Sequence, residues 1–176
     1  MELKGSRTIA ADRMAVWVAL NEADVLRMSI PGCSELTGNA ADGFEAVVTQ
    51  KIGPVKATFK GQVELSDIVE GVSYKISGQG KGGPAGYANG GAVVTLEDSD
   101  GGTRLSYDVS AKVGGKLASL GARLIDGVAR RLADQFFENF QAAVEGEPVE
   151  QEQPMPETEQ PGFISKIMNW LKGLFS

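Results

Sequence analysis

The 176-residue chain has no histidine and a single cysteine, Cys33. Without histidine it lacks the commonest general base, nucleophile activator and zinc ligand. One cysteine forbids an intramolecular disulfide and a thiolate metal cluster, and it suits a reducing cytosol. Chemistry run by carboxylates alone is left open. No apolar stretch reaches the ~20 residues needed to span a bilayer. The opening MELKGSRTIAADR holds no apolar run of signal-peptide length. A net charge of −6 argues against nucleic acid as a partner, because neutralising phosphates takes clustered lysine and arginine.

What is present suits one globular domain with an appendage: 42% of residues are hydrophobic and 23% charged. Most of the glycines lie between residues 38 and 127, which favours strands in close approach over a helical bundle. Glu2 to Ala10 can pair as a strand. Asp12 stands as an N-cap before a short helix carrying Met14, Val16, Trp17 and Leu20, and a second helical piece from Glu22 stops before Pro31-Gly32. From Phe44 the period becomes two. Phe44, Ala46 and Val48, then Val55, Ala57, Phe59, Val63 and Leu65, then Val72, Tyr74 and Ile76 alternate with polar residues, and the pattern continues to Val113. A meander of antiparallel strands with one apolar face is expected. From about Lys116 the spacing of Leu117, Leu120, Leu124, Val128 and Leu132 predicts a helix of nearly thirty residues.

Small residues crowd the run Gly80 to Ala92 and recur at Gly114, Gly115, Ala118, Gly121 and Ala122. Between a sheet and a helix they predict a cavity lined by carbon. Trp17, Phe44, Phe59, Tyr74, Leu117, Leu120, Leu124 and Val128 are its candidate lining by face and spacing. Asp126, Asp134 and Glu138 read as solvated helix charges pairing along their own helix with Arg123, Arg130 and Arg131. Cys33 reads as a small hydrophobe. Lys81-Gly82-Gly83-Pro84 lacks the spacing of a phosphate loop.

After Val144 the segment EGEPVEQEQPMPETEQPG holds six glutamates, four prolines and no basic residue, the composition of a disordered linker. The last residues form an amphipathic pattern. Phe163, Ile164, Ile167, Met168, Trp170, Leu171, Leu174 and Phe175 fall within an arc of about 160° at ~100° per residue, with Lys166 and Lys172 opposite. Such a helix can lie in a membrane interface, dock in a partner's groove or cover the chain's own cavity. The membrane reading is preferred. The expected divisions are 1–145, 146–161 and 162–176.

Several blocks together resemble the CoxG-type family of carbon monoxide dehydrogenase, which lies in the START-like (SRPBCC) superfamily. They are Ser29-Ile30-Pro31-Gly32-Cys33, Ile52-Gly53-Pro54-Val55 with Thr58-Phe59-Lys60-Gly61, and the runs Gly80 to Ala92 and Gly102 to Phe140. The resemblance implies an α+β helix-grip fold, in which a curved antiparallel sheet of about seven strands wraps a long C-terminal helix. It places Pro31, Gly32 and Tyr87 at a cavity entrance. It also implies a non-catalytic accessory protein of a molybdenum hydroxylase, attached to the inner face of the cytoplasmic membrane. A respiratory quinone, menaquinone or ubiquinone, is the expected ligand, with no covalent cofactor and no metal. The alternatives are a START-like enzyme acting on a lipophilic substrate and an assembly factor for the molybdenum enzyme.

Overall fold

The computed structural model describes residues 1–145. Strand β1 (Glu2–Ile9) is followed by helices α1 (Arg13–Leu20) and α2 (Ala23–Ser29). Six strands come next: β2 (Cys33–Asn39), β3 (Gly43–Ile52), β4 (Val55–Val69), β5 (Ser73–Lys81), β6 (Tyr87–Ser99) and β7 (Gly102–Gly114). Helix α3 (Ala122–Glu145) closes the domain. The strands form one antiparallel sheet in the order β1-β7-β6-β5-β4-β3-β2. This is the helix-grip arrangement.

Local chemistry sets the boundaries. The Asp12 carboxylate accepts the Ala15 amide at 3.0 Å, which caps α1 as expected. After α2 the chain turns at Pro31-Gly32, where Gly32 takes a φ of +76° that a side chain would resist. The Thr49 amide donates to the Gly32 carbonyl at 3.0 Å and fastens this turn to β3.

The structure departs from the sequence expectations in two places. Strand β2 carries no readable period, because Leu36 is its one buried residue among polar or glycine neighbours. Helix α3 begins at Ala122, not near Lys116. Gly115–Leu120 forms a 3₁₀ turn, and Gly121, at φ +93°, separates it from the helix.

The main core joins sheet and helices through Ile9, Val16, Trp17, Leu20, Leu96, Leu105, Phe137 and the wholly buried Phe140. Each such side chain contributes about 1.5–3 kcal/mol when taken out of water. A second cluster, Val55, Ala85 and Leu117 backed by Ile52, Phe59 and Leu120, plugs the opposite end of the sheet. Between the two clusters packing is incomplete, and there the cavity lies.

Candidate ligand-binding cavity

A cavity of about 320 Å³ separates the concave face of the sheet from the helices. The sheet contributes Phe44 and Ala46 from β3, Val63 and Leu65 from β4, and Tyr74 and Ile76 from β5. From β6 and β7 come Ala92, Val94, Leu105, Tyr107 and Val109. Leu26 reaches it from α2, Ile30 from the turn that follows, and Ala133, Phe136 and Phe137 from α3. Among the described residues, the hydroxyls of Tyr74 and Tyr107 are the only polar side-chain atoms in this lining. Two larger hollows, about 570 and 580 Å³, lie on the outer face of the sheet. Lys60, Gln62 and Gln79 line one and Asn89 and Lys112 the other. Their lining is that of a wet surface, so the carbon-lined cavity is the candidate site.

Register explains why the cavity exists. Rows of opposed residues cross the concave face: Ala46–Gly61–Gly80–Ala88–Val113, and beside it Phe44–Val63–Gly78–Gly90–Ala111. Four glycines and three alanines leave this band nearly bare. Further along the strands the rows carry Leu65, Ile76 and Val109, then Tyr74, Val94 and Tyr107. The face therefore steps from small to large. The bare band forms a groove of about 300 Å³ that shares Val63, Ile76, Ala92 and Val109 with the cavity and extends it.

Electrostatics isolates one group. Tyr74 is 4% exposed and packs edge-to-face on Trp17, with ring centroids 5.4 Å apart. Its hydroxyl has no hydrogen-bond partner among the described residues. Burial pushes its phenol well above the ordinary range, so it stays protonated and able to donate. Tyr107 differs. Its hydroxyl rests over Gly5 at the β1 edge, while its ring stacks on Phe137 with centroids 5.1 Å apart. Arg7 covers the far side of Phe137 and pairs with Asp134. That pair runs from β1 to α3, not along the helix as expected. Burial raises the Cys33 thiol too, outweighing the opposing influence of the Glu35 backbone and of the Arg27 charge, which keeps the thiolate scarce.

Of the eight residues expected to line the cavity, Phe44 and Tyr74 do so. The other six lie elsewhere. Trp17 stands behind Tyr74 in the core. Phe59, Leu117 and Leu120 belong to the plugging cluster, because the 3₁₀ turn carries the leucines to the β3–β4 hairpin and away from the concave centre. Leu124, 38% exposed, leans over Gly53 in that hairpin, and Val128 is buried without reaching the cavity. At the expected entrance, Pro31 and Gly32 bind the edge of β3 while their neighbour Ile30 lines the site. Tyr87 is half exposed on the outer face, over Gly114. The four-residue spacing of Leu26 and Ile30 is the sequence signal for the contribution around α2. The tail residues Phe163, Ile164, Lys166, Ile167, Met168, Trp170, Leu171, Lys172, Leu174 and Phe175 lie outside the described residues.

Among the described residues no helix is long and apolar enough to cross a membrane, and no cluster of three potential metal ligands occurs.

The fold has relatives. A conserved protein from Geobacillus kaustophilus is 33% identical with a TM-score of 0.76, over 82% of this chain and 95% of that one. A protein from Chromobacterium violaceum, at 15% identity and TM-score 0.62, is matched over 83% of this chain and 99% of its own. An aromatase/cyclase from Streptomyces shares the fold at 15% identity and TM-score 0.55, over 82% and 93%. No curated protein sequence matches. Residues 5–145 match the CoxG family of carbon monoxide dehydrogenase subunits. The chain belongs to that family, and membership points to an accessory role beside carbon monoxide dehydrogenase.

Proposed function

We propose that this CoxG-family chain is a non-catalytic carrier for a respiratory quinone, menaquinone or ubiquinone. In this reading it serves a molybdenum hydroxylase of the carbon monoxide dehydrogenase type and holds it to the inner face of the cytoplasmic membrane. The observation that carries the proposal is a cavity of about 320 Å³ lined by carbon, into which the phenol of the buried Tyr74 can donate. The Tyr74 hydroxyl is free to donate into the cavity, where one neutral hydrogen bond to a ligand is worth about 0.5–1.5 kcal/mol. A quinone carbonyl on an otherwise apolar ring supplies the acceptor. The volume is small for ligand pockets, which commonly span about 300–1,000 Å³. It accommodates the ring and the beginning of a chain, while the adjoining groove offers the rest of the chain an apolar path.

Membrane attachment rests on residues 162–176, whose apolar arc and two lysines suit an interfacial helix. A soluble enzyme and a lipid-dissolved acceptor need such an intermediary. Burying one CH₂ gains about 0.8 kcal/mol from water but little from lipid, so release and uptake at a membrane are nearly balanced. Organic extraction of the purified full-length chain, followed by mass spectrometry, tests the ligand. A quinone at near-equimolar yield is the expected result. A protein that carries none and takes none up from quinone-loaded vesicles overturns the proposal.

A second reading, an enzyme acting on a lipophilic substrate, is favoured by the fold shared with an aromatase/cyclase. The lining weighs against it. Among the described residues it contains no carboxylate, amine or thiol, so Tyr74 and Tyr107 are the side chains there that could exchange a proton with a ligand.

A further inference from the structure

The domain is electrically lopsided. One end is built from the β3–β4 hairpin, the β5–β6 loop and the 3₁₀ turn that leads into α3. Lys51, Lys56, Lys60, Lys81, Lys112, Lys116 and Arg123 lie there, all exposed. The contributing segments 46–63, 76–96 and 109–125 contain no acidic residue. None of the seven cations takes part in an ion pair among the described residues. Glu35 and Glu45 flank the patch on the outer face, and Asp126 follows Arg123 on α3. The opposite end carries Asp12, Asp67, Glu70, Asp98, Asp100 and Glu145, with Arg13 and Lys75 already paired to Asp98 and Asp67.

Two details show that stability alone does not account for this patch. Lys51 stands directly opposite Lys56, and Lys60 directly opposite Lys81, in register across paired strands. Like charges so placed destabilise a sheet. Lys81 in turn faces Tyr87, whose ring is 50% exposed beside the lysines. An aromatic ring among cations is the side-chain mixture found where proteins meet headgroups.

We propose that this basic end is a second membrane-contacting surface, specific for anionic phospholipid, which works together with the C-terminal segment. It rests on the membrane reading of residues 162–176. Helix α3 has 24 residues and is therefore about 36 Å long. It starts at the basic end, where Leu124 leans on Gly53, and finishes at the acidic end, where Glu145 accepts the Ala10 amide. The chain thus leaves the domain at the end remote from the patch. Residues 146–161 number sixteen, and at ~3.1 Å each they reach about 50 Å. That is long enough to traverse the domain, so patch and terminal segment can engage one bilayer together. The glutamates of that segment and the acidic end are repelled by anionic lipid, which orients the domain with its basic end down.

The test compares binding of the full-length chain to vesicles of phosphatidylcholine and of phosphatidylcholine with phosphatidylglycerol, at low and high salt. The variants are Lys51→Gln/Lys56→Gln and Lys60→Gln/Lys81→Gln, with Leu171→Glu in the tail. Wild type should prefer anionic vesicles, and salt should weaken that preference. Each neutralised lysine should cost about fivefold in partitioning to anionic vesicles, leaving binding to neutral vesicles unchanged. Because each double variant removes a like-charge pair, its melting temperature should hold or rise, which separates lost binding from lost folding. Equal partitioning of wild type and lysine variants overturns the patch while leaving the tail reading intact. Loss of all vesicle binding in Leu171→Glu, with lysine variants intermediate, supports both. No binding by wild type to either vesicle overturns both. Salt-sensitive capture of an acidic protein, without preference for anionic vesicles, reassigns the patch to a protein partner and overturns the proposal.

Discussion

Gly61 and Gly80 face each other in register across β4 and β5, and a β-carbon built on either would make only ordinary van der Waals contacts. The nearest atoms are backbone oxygens at 3.7 Å or more for Gly61, and the Phe59 Cβ at 4.0 Å for Gly80. Neither glycine has a positive φ. Gly80→Val should therefore fold normally and obstruct the groove beyond the cavity. Long-chain quinones should lose about tenfold or more in affinity, and a chainless analogue should lose little, since each buried CH₂ is worth ~0.8 kcal/mol. Titration with a series of chain lengths checks this; equal losses across the series would place the chain elsewhere.

Tyr74→Phe removes the more deeply buried of the two tyrosine hydroxyls in the cavity lining. Ligand-free stability should stay within about 0.5 kcal/mol of wild type or improve, because no hydrogen bond is lost. Affinity for a quinone should fall about fivefold to tenfold, the worth of one neutral hydrogen bond. Fluorescence titration of both proteins with the same quinone measures the difference.

The same residue sets an alkaline limit. Burial holds the folded-state pKa of Tyr74 above its unfolded value of about 10. The folded form thus keeps a proton that the unfolded chain releases. The associated stability is complete below pH ~10 and is lost as pH rises towards the folded value. Melting curves of wild type should decline more steeply above that pH than those of Tyr74→Phe. Parallel curves would mean that the phenol is hydrated.

Ala92→Leu adds three carbons at a position lining the cavity. Filling unoccupied apolar space should raise stability by about 1–2 kcal/mol and abolish ligand uptake. Thermal melting and solvent extraction of the same preparation read both effects. A variant that is stabilised and still carries ligand would place the ligand outside the cavity.

Gly86→Ala should do the opposite at the loop. Its β-carbon would fall 2.2 Å from the Gly114 carbonyl oxygen, at a φ of +118°. A loss of about 1–3 kcal/mol is expected, measurable by denaturant midpoint.

The fold is legible in the sequence because alternation along β3 to β7 is regular and the final apolar stripe is long. The capping Asp12 and the breaker Pro31-Gly32 mark the two short helices. Strand β2 stays hidden because an edge strand with a single buried leucine carries no period. The helix start is displaced because Leu117 and Leu120 keep helical spacing across a 3₁₀ turn, and only the backbone angle of Gly121 breaks it. For the cavity, period two tells which face a residue occupies but not how far along the strand the helix covers it. Phe44 and Phe59 share a face, yet one lines the cavity and the other plugs its end. The bare band requires register. Gly61 and Gly80 lie 19 positions apart, and only strand pairing makes them neighbours.

The pairing of β1 with β7 carries a cost in time. Glu2 is matched to Ser110 and Ile9 to Thr103, so the first strand synthesised finds its only sheet partner about a hundred residues later. At roughly 5–20 residues per second, a ribosome leaves that strand waiting several seconds or more. Closing so long a loop carries an entropic cost before any contact rewards it, and non-local pairing of this kind slows folding. Until β7 emerges, Ile9 has no neighbouring strand to pair beside, although Trp17 of α1 already has Tyr74 of β5 to pack on. A nascent chain shorter than about 115 residues should therefore be a ready client for chaperones that bind exposed apolar strands.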